Sequence, residues 1–314
     1  MTFKTRFAPS PTGPLHLGHA YSALLAHDMA RAAGGEFFLR IEDLDQSRVR
    51  REWEDLIYED LQWLGIRWDA VPLRQSDRRE IYLQTLKGPL RDYIFPCVCN
   101  RRDIMTAANA PQDGEPAMGP DGIVYPGTCA PKGPVDLEQL SWSEVNLRLR
   151  DWGAGDLTLG FEECGVTAGR HIVSLDDFFR TIGQVVVWRR GYAAYHLASV
   201  VDDADQGITH VIRGHDLFEA TKIHVVLQYL MKLKTPTYHH HRLITDNDGK
   251  RLAKRHDAKA IRVYRDQGYS VEAIRDMVGL PLEKSIFELL RNQTDAGALP
   301  PHRQSILTKM KRVP

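Results

Sequence analysis

The sequence has no long hydrophobic run and no excess of charge of either sign. Lys and Arg together number 41, as do Asp and Glu, so the net charge is zero with His neutral. Such a chain has no overall basic field, and any contact with nucleic acid must come from a local patch. No apolar run approaches the ~20 residues of a membrane span, and the N-terminus lacks a signal-peptide pattern. We therefore expect a cytoplasmic protein with no membrane partner.

Cysteine is also scarce, with 4 residues in 314. Disulfides are rare in cytosolic proteins, so we expect these cysteines to be thiols or metal ligands. No segment has the Gly-x-Gly-x-x-Gly or P-loop spacing, so a dehydrogenase or a P-loop ATPase has no support. The 43% hydrophobic and 26% charged residues are ordinary for a soluble globular protein. The length suits one large domain or two medium ones.

The N-terminal segment predicts a strand, a turn and a helix. Residues 3–8 are mostly apolar and predict a short buried strand, after which two prolines and Gly13 impose a turn. Strong helix formers follow from about residue 16 to residue 33. The positive end of this helix would face whatever binds at the junction, which is therefore an anion site in principle.

Two histidines, His16 and His19, flank Gly18 at this junction. Their spacing lets both imidazoles point the same way, and the glycine lets a flat ring or a phosphate approach the backbone. Taken alone, these residues favour a structural role, in which one histidine caps the helix and the other hydrogen-bonds within the core. The surrounding residues change this interpretation.

Two blocks of sequence resemble the nucleotide-binding signature of class I aminoacyl-tRNA synthetases of the glutamyl branch: RFAPSPTGPLHLGH at residues 6–19 and RIEDLDQSR at residues 40–48. The resemblance implies an α/β fold with a Rossmann-like parallel sheet. It also implies ATP as a substrate together with Mg²⁺, and glutamate and a tRNA as partners. His16, Gly18 and His19 would then bind ATP, and both histidines would be catalytic.

The pattern after the first helix predicts a parallel sheet, because strands and helices alternate. Residues 36–43 predict a strand that ends in acids, residues 49–64 an amphipathic helix and residues 77–93 a further helix. Ligands of such sheets lie at the carboxyl ends of the strands, where Ser10 and Glu42 would meet.

Residues 96–165 are rich in Pro, Gly and polar residues and predict an insertion between two halves of a catalytic domain, residues 1–95 and 166–235. Within the insertion, the run from 110 to 122 should hold no regular element. A lid loop and a helical stem, predicted as one or two short helices from about residue 262, would occupy residues 236–280. Residues 281–314 form a tail of unknown role, either a family-specific extension or partly disordered.

The predicted insertion contains Cys97, Cys99 and Cys129. Two thiolates on alternate residues and a third after a loop can converge on one zinc ion, which would organise a segment with little core of its own. The alternative is a set of reduced, unliganded thiols, because Cys-x-Cys is less diagnostic than a pair of Cys-x-x-Cys knuckles.

The fourth zinc ligand is open at this point. Ligand chemistry alone prefers Cys164 or His171, because tyrosine is absent from the usual zinc ligands. The family resemblance implies Tyr125 instead, because Cys-x-Cys followed by Tyr-x-x-x-Cys is the zinc pattern of the glutamyl enzymes.

Apolar runs in the second half predict three strands, at residues 184–188, 192–202 and 207–213. Each run ends in polar residues. A helix is predicted to follow from about residue 216 to residue 230, and a strand end near residue 240 is expected to direct His240 toward the site.

Tyr195 and Arg213 lie in blocks that again resemble the glutamyl branch, YHLASVVDD and IRGHD, and they are implied to shape an amino-acid pocket together with Ser10. Glutamate has two carboxylates and one ammonium, so its site needs cationic forks and an acid. Arg6, Arg213 and Glu42 supply that set. Any one of them alone would more commonly form a surface ion pair.

A basic cluster, RLAKR, ends the functional part at residues 251–255. Such a run is usually a solvated face. Here it resembles the Lys-Met-Ser-Lys-Ser lid loop of class I synthetases, which implies that Lys254 stabilises charge on the ATP phosphates. Arg251 and Ala253 depart from that pattern, and the lost hydroxyl at position 253 puts one phosphate hydrogen bond in doubt.

The resemblance spans about residues 3–280. It includes no counterpart of the large helical anticodon-binding domain found in a discriminating glutamyl-tRNA synthetase. The chain therefore resembles the glutamyl-queuosine tRNA(Asp) synthetases. This implies a monomer that activates glutamate with ATP and transfers it to the queuosine base of tRNA(Asp). The alternatives are a shortened glutamyl-tRNA synthetase that acylates a tRNA 3′ end, a small-molecule adenylyl or cytidylyl transferase, and a non-catalytic RNA-binding paralogue.

Overall fold

The structure is a computed structural model that describes residues 2–109, 115–131, 133, 135–153, 155–244 and 259–280. Its helices are α1 (Leu17–Ala32), α2 (Arg51–Trp63), α3 (Arg79–Lys87), α4 (Arg101–Ala108), α5 (Leu175–Thr181), α6 (Tyr195–Asp205), α7 (Thr221–Leu230), α8 (Ile261–Asp266) and α9 (Val271–Val278). Its strands are β1 (Lys4–Phe7), β2 (Glu36–Ile41), β3 (Leu73–Arg74), β4 (Ile94–Cys97), β5 (Met118–Gly119), β6 (Gly122–Ile123), β7 (Asn146–Leu149), β8 (Thr158–Glu163), β9 (Gly169–Ser174), β10 (Val186–Arg189), β11 (Tyr192–Ala193), β12 (His210–Gly214) and β13 (Thr237–His241). In the described part of the chain, no helix is both long enough and apolar enough to cross a membrane.

A parallel sheet carries the predicted site. Strands β1, β2 and β3 are parallel neighbours, and so are β12, β13 and β8, with β9 antiparallel at the edge. The amide of Thr209 donates to the carbonyl of Lys4 at 3.0 Å, which places β12 beside β1. The alternation of strands and helices therefore predicted the parallel α/β arrangement correctly.

Helix α1 lies against this sheet because one side of it is almost wholly apolar. Its buried residues include Ala20, Leu24 and Leu25, which join one core with residues of β1, β2 and α2. The short helices predicted from about residue 262 are confirmed as α8 and α9, and α9 packs its Ile274 and Val278 into the same core.

A second sheet is antiparallel and has the strand order β11-β10-β7-β4. Strand β7 lies within residues 96–165, and its Leu147 and Leu149 are fully buried. The run from 110 to 122 does contain the start of a regular element, since Met118–Gly119 pairs with Gly122–Ile123. Gly122 has a φ of +106°, which permits this tight turn. The division of the chain into domains stays a prediction.

The strand predicted over residues 192–202 is wrong beyond β11, because α6 begins at Tyr195. Eight of the eleven residues of α6 are buried. A helix buried on most sides presents a continuous apolar run that periodicity cannot distinguish from a buried strand. The overlooked signal was Gly207, which has a φ of +64° just after the helix ends.

Two other predicted helices are shorter than expected. The prediction over residues 77–93 resolves into α3 flanked by two 3₁₀ turns, and the prediction over residues 216–230 into a 3₁₀ turn at His215–Leu217 followed by α7.

Candidate active site

A cavity of about 550 Å³ lies at the carboxyl ends of β1 and β2. Ser10 follows β1 and Glu42 follows β2, and both side chains line the cavity together with Tyr195 from the start of α6. Three residues of the predicted amino-acid pocket therefore line one cavity. A smaller cavity of about 140 Å³ is also lined by Tyr195.

The two predicted cationic residues are buried and do not line this cavity. Arg6 is 4% exposed and Arg213 is 6% exposed, and neither belongs to the cavity lining. The guanidinium of Arg6 donates to Asp203 from Nε at 2.8 Å and from Nη2 at 3.3 Å. Two of its three nitrogens are therefore held by an acid of the protein itself, and its role as a carboxylate ligand stays a prediction.

Sequence reasoning assigned no role to Arg40 and Asp203, which join these elements. The fully buried Arg40 donates to Asp203 Oδ1 at 2.6 Å and to Glu42 Oε1 at 3.2 Å. A signal for Arg40 was available, because residues two apart on a strand face the same side of the sheet. The signal for Asp203 was lost with the strand assignment of α6, where Tyr195 and Asp203 lie eight residues apart on one helical face.

The pKa values of Glu42 and Asp203 are shifted in opposite directions. Burial raises the pKa of Glu42 even though Arg40 and Arg6 oppose the shift. Burial also acts on Asp203, but the two adjacent guanidiniums hold the pKa of that carboxyl below its usual value. A ligand ammonium beside Glu42 would add a third cation and favour its ionised form.

Tyr195 is influenced by both the acid and the cation of the predicted pocket. Burial raises the pKa of its phenol, the charge of Arg213 lowers it and the charge of Glu42 raises it again. A molecule bound beside Tyr195 therefore meets both signs of charge. His240, which was expected to face the site, is fully buried and its Nε2 lies 3.1 Å from Arg213 Nε.

The two histidines at the start of α1 cap that helix reciprocally. The amide of Gly18 donates to His16 Nδ1 at 3.1 Å, and the amide of His16 donates to His19 Nδ1 at 3.2 Å. Each neutral ring therefore carries its proton on Nε2. The rings lie 3.8 Å apart between centroids. The capping role and the anion-binding role are thus compatible, because both tautomers present an N–H group at the positive end of the helix.

Gly18 is required by the histidine beside it. A Cβ at this position would lie 3.0 Å from Cε1 of His16, which is tighter than most real contacts. From the sequence, we expected a ligand to approach this glycine. In the structure, the group that approaches it is the imidazole of His16.

The predicted lid residues Arg251, Ala253 and Lys254 lie outside the described residues. The described chain on either side of them is anchored to α1. His241 Nε2 lies 2.7 Å from Ser22 Oγ, and Ala260 forms an antiparallel bridge with His16.

Three cysteines converge as the sequence predicted. The Sγ atoms of Cys97, Cys99 and Cys129 lie within 4.8 Å of one another, and those of Cys99 and Cys129 are 3.3 Å apart. Tyr125 Oη lies 3.5 Å from Cys97 Sγ and 3.7 Å from Cys99 Sγ. Zinc with Zn–S bonds of about 2.3 Å holds tetrahedral ligands about 3.8 Å apart, so this donor set fits a zinc ion.

The other candidates for the fourth ligand lie elsewhere. The amide of Cys164 donates to Tyr238 O in the parallel sheet, and His171 Nε2 lies 2.7 Å from Thr167 O. Neither joins the cysteine cluster among the residues that the structure describes. Burial and the adjacent thiols raise the pKa of the Tyr125 phenol, so a phenolate ligand would require the charge of the metal.

Known proteins are similar to this chain in sequence. Residues 2–100 and 179–284 match the family model described as tRNA synthetases class I (E and Q), catalytic domain. A glutamyl-Q tRNA(Asp) synthetase of Rhodobacter capsulatus is 55% identical over 88% of this chain and 99% of its own length. A glutamate–tRNA ligase of a Hydrogenobaculum species is 36% identical over 86% of this chain and 56% of its own length.

The fold is similar to that of a solved relative. The crystal structure of a glutamate tRNA ligase from Elizabethkingia meningosepticum in complex with its amino acid superposes with a TM-score of 0.72 and 27% identity. The match covers 93% of this chain and 64% of that one, so this chain spans less than two thirds of that solved protein.

Proposed function

The chain belongs to the catalytic-domain family of the class I tRNA synthetases for glutamate and glutamine, and on that premise we propose that it activates glutamate with ATP and transfers it to the queuosine base of tRNA(Asp). The observation that carries this proposal is the 55% identity, over 99% of its length, to a relative named for that activity. The grouping of Ser10, Glu42 and Tyr195 around one cavity supports an amino-acid site.

In the first step, a carboxylate oxygen of glutamate attacks the α-phosphorus of ATP. The new O–P bond forms as the bond to the bridging oxygen breaks, which releases pyrophosphate and leaves glutamyl-adenylate. Catalysis of this step is positioning and charge stabilisation, with no covalent enzyme intermediate. When bound with ATP, Mg²⁺ supplies positive charge to the phosphates.

The Nε2–H groups of His16 and His19 would donate to the phosphates at the positive end of α1. Lys254 would add a cation to the phosphates. Glutamate would lie with its ammonium at Glu42 and its side-chain carboxylate toward Arg213. In the second step, a hydroxyl of the RNA attacks the acyl carbon, and AMP leaves.

We also propose that Cys97, Cys99, Tyr125 and Cys129 bind zinc in a structural role. With four protein ligands the coordination shell is closed, which is typical of a structural site. Arg148 donates to Cys97 Sγ at 3.3 Å and lies over the Tyr125 ring, where it would offset the anionic charge of the ligands. We also propose a cytoplasmic location, since ATP and tRNA are cytoplasmic substrates. A monomeric state is a further part of the proposal.

The proposal is tested by ATP–pyrophosphate exchange with glutamate, with glutamine as the control. We expect exchange with glutamate and not with glutamine, in the absence of tRNA. Glutamate should then give acid-stable labelling of queuosine-containing tRNA(Asp) and no labelling of the same tRNA without queuosine. Exchange that requires tRNA, with label on the 3′ end, would favour a glutamyl-tRNA synthetase, to which the 36% identity with the Hydrogenobaculum ligase also points. No exchange under either condition would overturn the catalytic assignment.

A further inference from the structure

Arg213 is a buried cation that contacts no carboxylate directly among the residues that the structure describes. Its guanidinium donates from Nε to His240 Nε2 at 3.1 Å, from Nη1 to His224 Nδ1 at 3.4 Å, and from Nη2 to Thr221 Oγ1 at 2.8 Å and Leu217 O at 3.3 Å. All four acceptors are neutral groups. Within the described ranges Arg213 forms no ion pair, and one of its five N–H groups has no acceptor.

These contacts determine the state of His224 and of the residues behind it. A guanidinium can only donate, so His224 Nδ1 must accept and the ring proton must lie on Nε2. That proton is donated to His196 Nδ1 at 3.1 Å, which places the proton of His196 on Nε2, 3.0 Å from the carboxylate of Asp121. The chain of hydrogen bonds therefore has one direction, from Arg213 to Asp121.

The tautomer of His240 follows from its hydrogen bonds in the same way. Its Nε2 accepts from Arg213, so its proton lies on Nδ1 and is donated to Glu163 Oε2 at 2.5 Å. A protonated His240 would direct an N–H group at the N–H of Arg213. Glu163 thus orients the imidazole without contacting the cation itself.

Burial and charge agree with two neutral rings. His224 is 1% exposed and His240 is fully buried. Burial lowers the pKa of both imidazoles and the charge of Arg213 lowers each further, although the hydrogen bond to Glu163 partly opposes the shift at His240. The side chain of Glu163 is fully buried too, but hydrogen bonds from His240 hold its pKa below the usual value.

We propose that His224 and His240 are positioning residues that hold Arg213 in place while leaving its charge uncompensated, and that this determines the preference of the site for a carboxylate over an amide side chain. The inference rests on the proposed function. An acid in direct contact would position Arg213 equally well, but it would cancel the charge that a bound carboxylate needs. Glu163 is separated from Arg213 by one imidazole, that of His240. Asp121 is separated from it by two, those of His196 and His224.

The test compares His224→Asn with His224→Asp. Both side chains place an oxygen near the position of Nδ1, and they differ chiefly in charge. We expect His224→Asn to raise the KM for glutamate by no more than about threefold, and His224→Asp to raise it at least about tenfold and to lower the ratio of glutamate to glutamine exchange similarly. A purely structural role predicts equal effects of the two variants on KM and no change in that ratio, and this result would overturn the inference.

Thermal unfolding of both variants checks that each is folded, and a second measurement does not depend on substitution. In the ¹⁵N-histidine spectrum of the unmodified protein, His224 should be the Nε2–H tautomer and His240 the Nδ1–H tautomer. An imidazolium signal, or the opposite tautomer, at either residue would overturn the inference. If the unmodified protein exchanges with neither amino acid, the proposed function fails, and these spectra alone decide the positioning of Arg213.

Discussion

Asp203 accepts a 2.6 Å hydrogen bond from the guanidinium of Arg40, although 163 residues separate them in the chain. This contact joins the second strand of the parallel sheet to helix α6 and shares one acid between Arg40 and Arg6. Arg40 also contacts Glu42, the acid that is proposed to bind the substrate ammonium. The position of Glu42 therefore depends, through Arg40, on Asp203, which lies 161 residues later in the chain.

Replacing Asp203 by Asn should destabilise the protein strongly. Two buried guanidiniums would lose their shared counter-charge, and removal of one partner of a buried ion pair costs about 3–5 kcal/mol. The free energy of unfolding in urea measures this change. Asp205→Asn is the matched control, because Asp205 is half exposed and pairs with Arg78 at the surface, where a loss of less than about 1 kcal/mol is expected. Equal losses in the two variants would contradict the prediction.

Stability should fall as the pH is lowered from about 6.5 toward 4, in part because of His210. Burial lowers the pKa of His210 to about 4, whereas an unfolded histidine titrates near about 6.5. A depressed pKa in the folded state contributes stability that is complete above the unfolded value and is lost as the pH falls toward the folded value.

His210→Phe should reduce this pH dependence. The substitution retains a ring to stack on Phe3, which lies 4.0 Å away between centroids. Between pH 7.5 and pH 4.5, the free energy of unfolding of the variant should decrease by about 2 kcal/mol less than that of the unmodified protein. Parallel curves for the two proteins would show that His210 is not the group responsible.

Cys99→Ser should remove zinc from the purified protein, because a structural zinc ion depends on each of its ligands. Elemental analysis should find about one zinc ion per chain before the substitution and less than about one tenth of that after it. Cys164→Ser serves as the control and should leave the zinc content unchanged, since Cys164 follows β8 and its amide donates to Tyr238 O in β13. Loss of zinc in the control alone would place the metal elsewhere.

Lys254→Ala should abolish most adenylation while glutamate binding is retained. The proposed role of Lys254 is to stabilise charge that develops on the phosphates, and loss of such a group typically lowers kcat by about 10²–10³. Exchange kinetics give kcat, and calorimetry with glutamate gives the binding. Lys259→Ala is a nearby control that also removes a cation, because Lys259 lies over the ring of Tyr264 and its Nζ donates to Gln267 Oε1. Unchanged turnover of Lys254→Ala would contradict the lid assignment.

The sequence predicted the elements whose pattern is local. The strand before His16, helix α1 and the parallel order of the sheet follow from apolar runs and turn residues that lie close together in the chain. The spacing of Cys97, Cys99 and Cys129 likewise predicted that they converge. Periodicity failed at α6, because a helix buried on most sides has the same apolar pattern as a buried strand.

The sequence by itself thus determined the family motifs, the order of the elements and the chemical types present in the site. Tertiary structure alone decided which charge compensates which. It paired Arg6 and Arg40 with Asp203, and it surrounded Arg213 with the neutral rings of His224 and His240 instead of an acid. The physical reason is that an ion pair or a tautomer depends on distances of a few ångströms between residues far apart in the chain, and no local pattern encodes those distances.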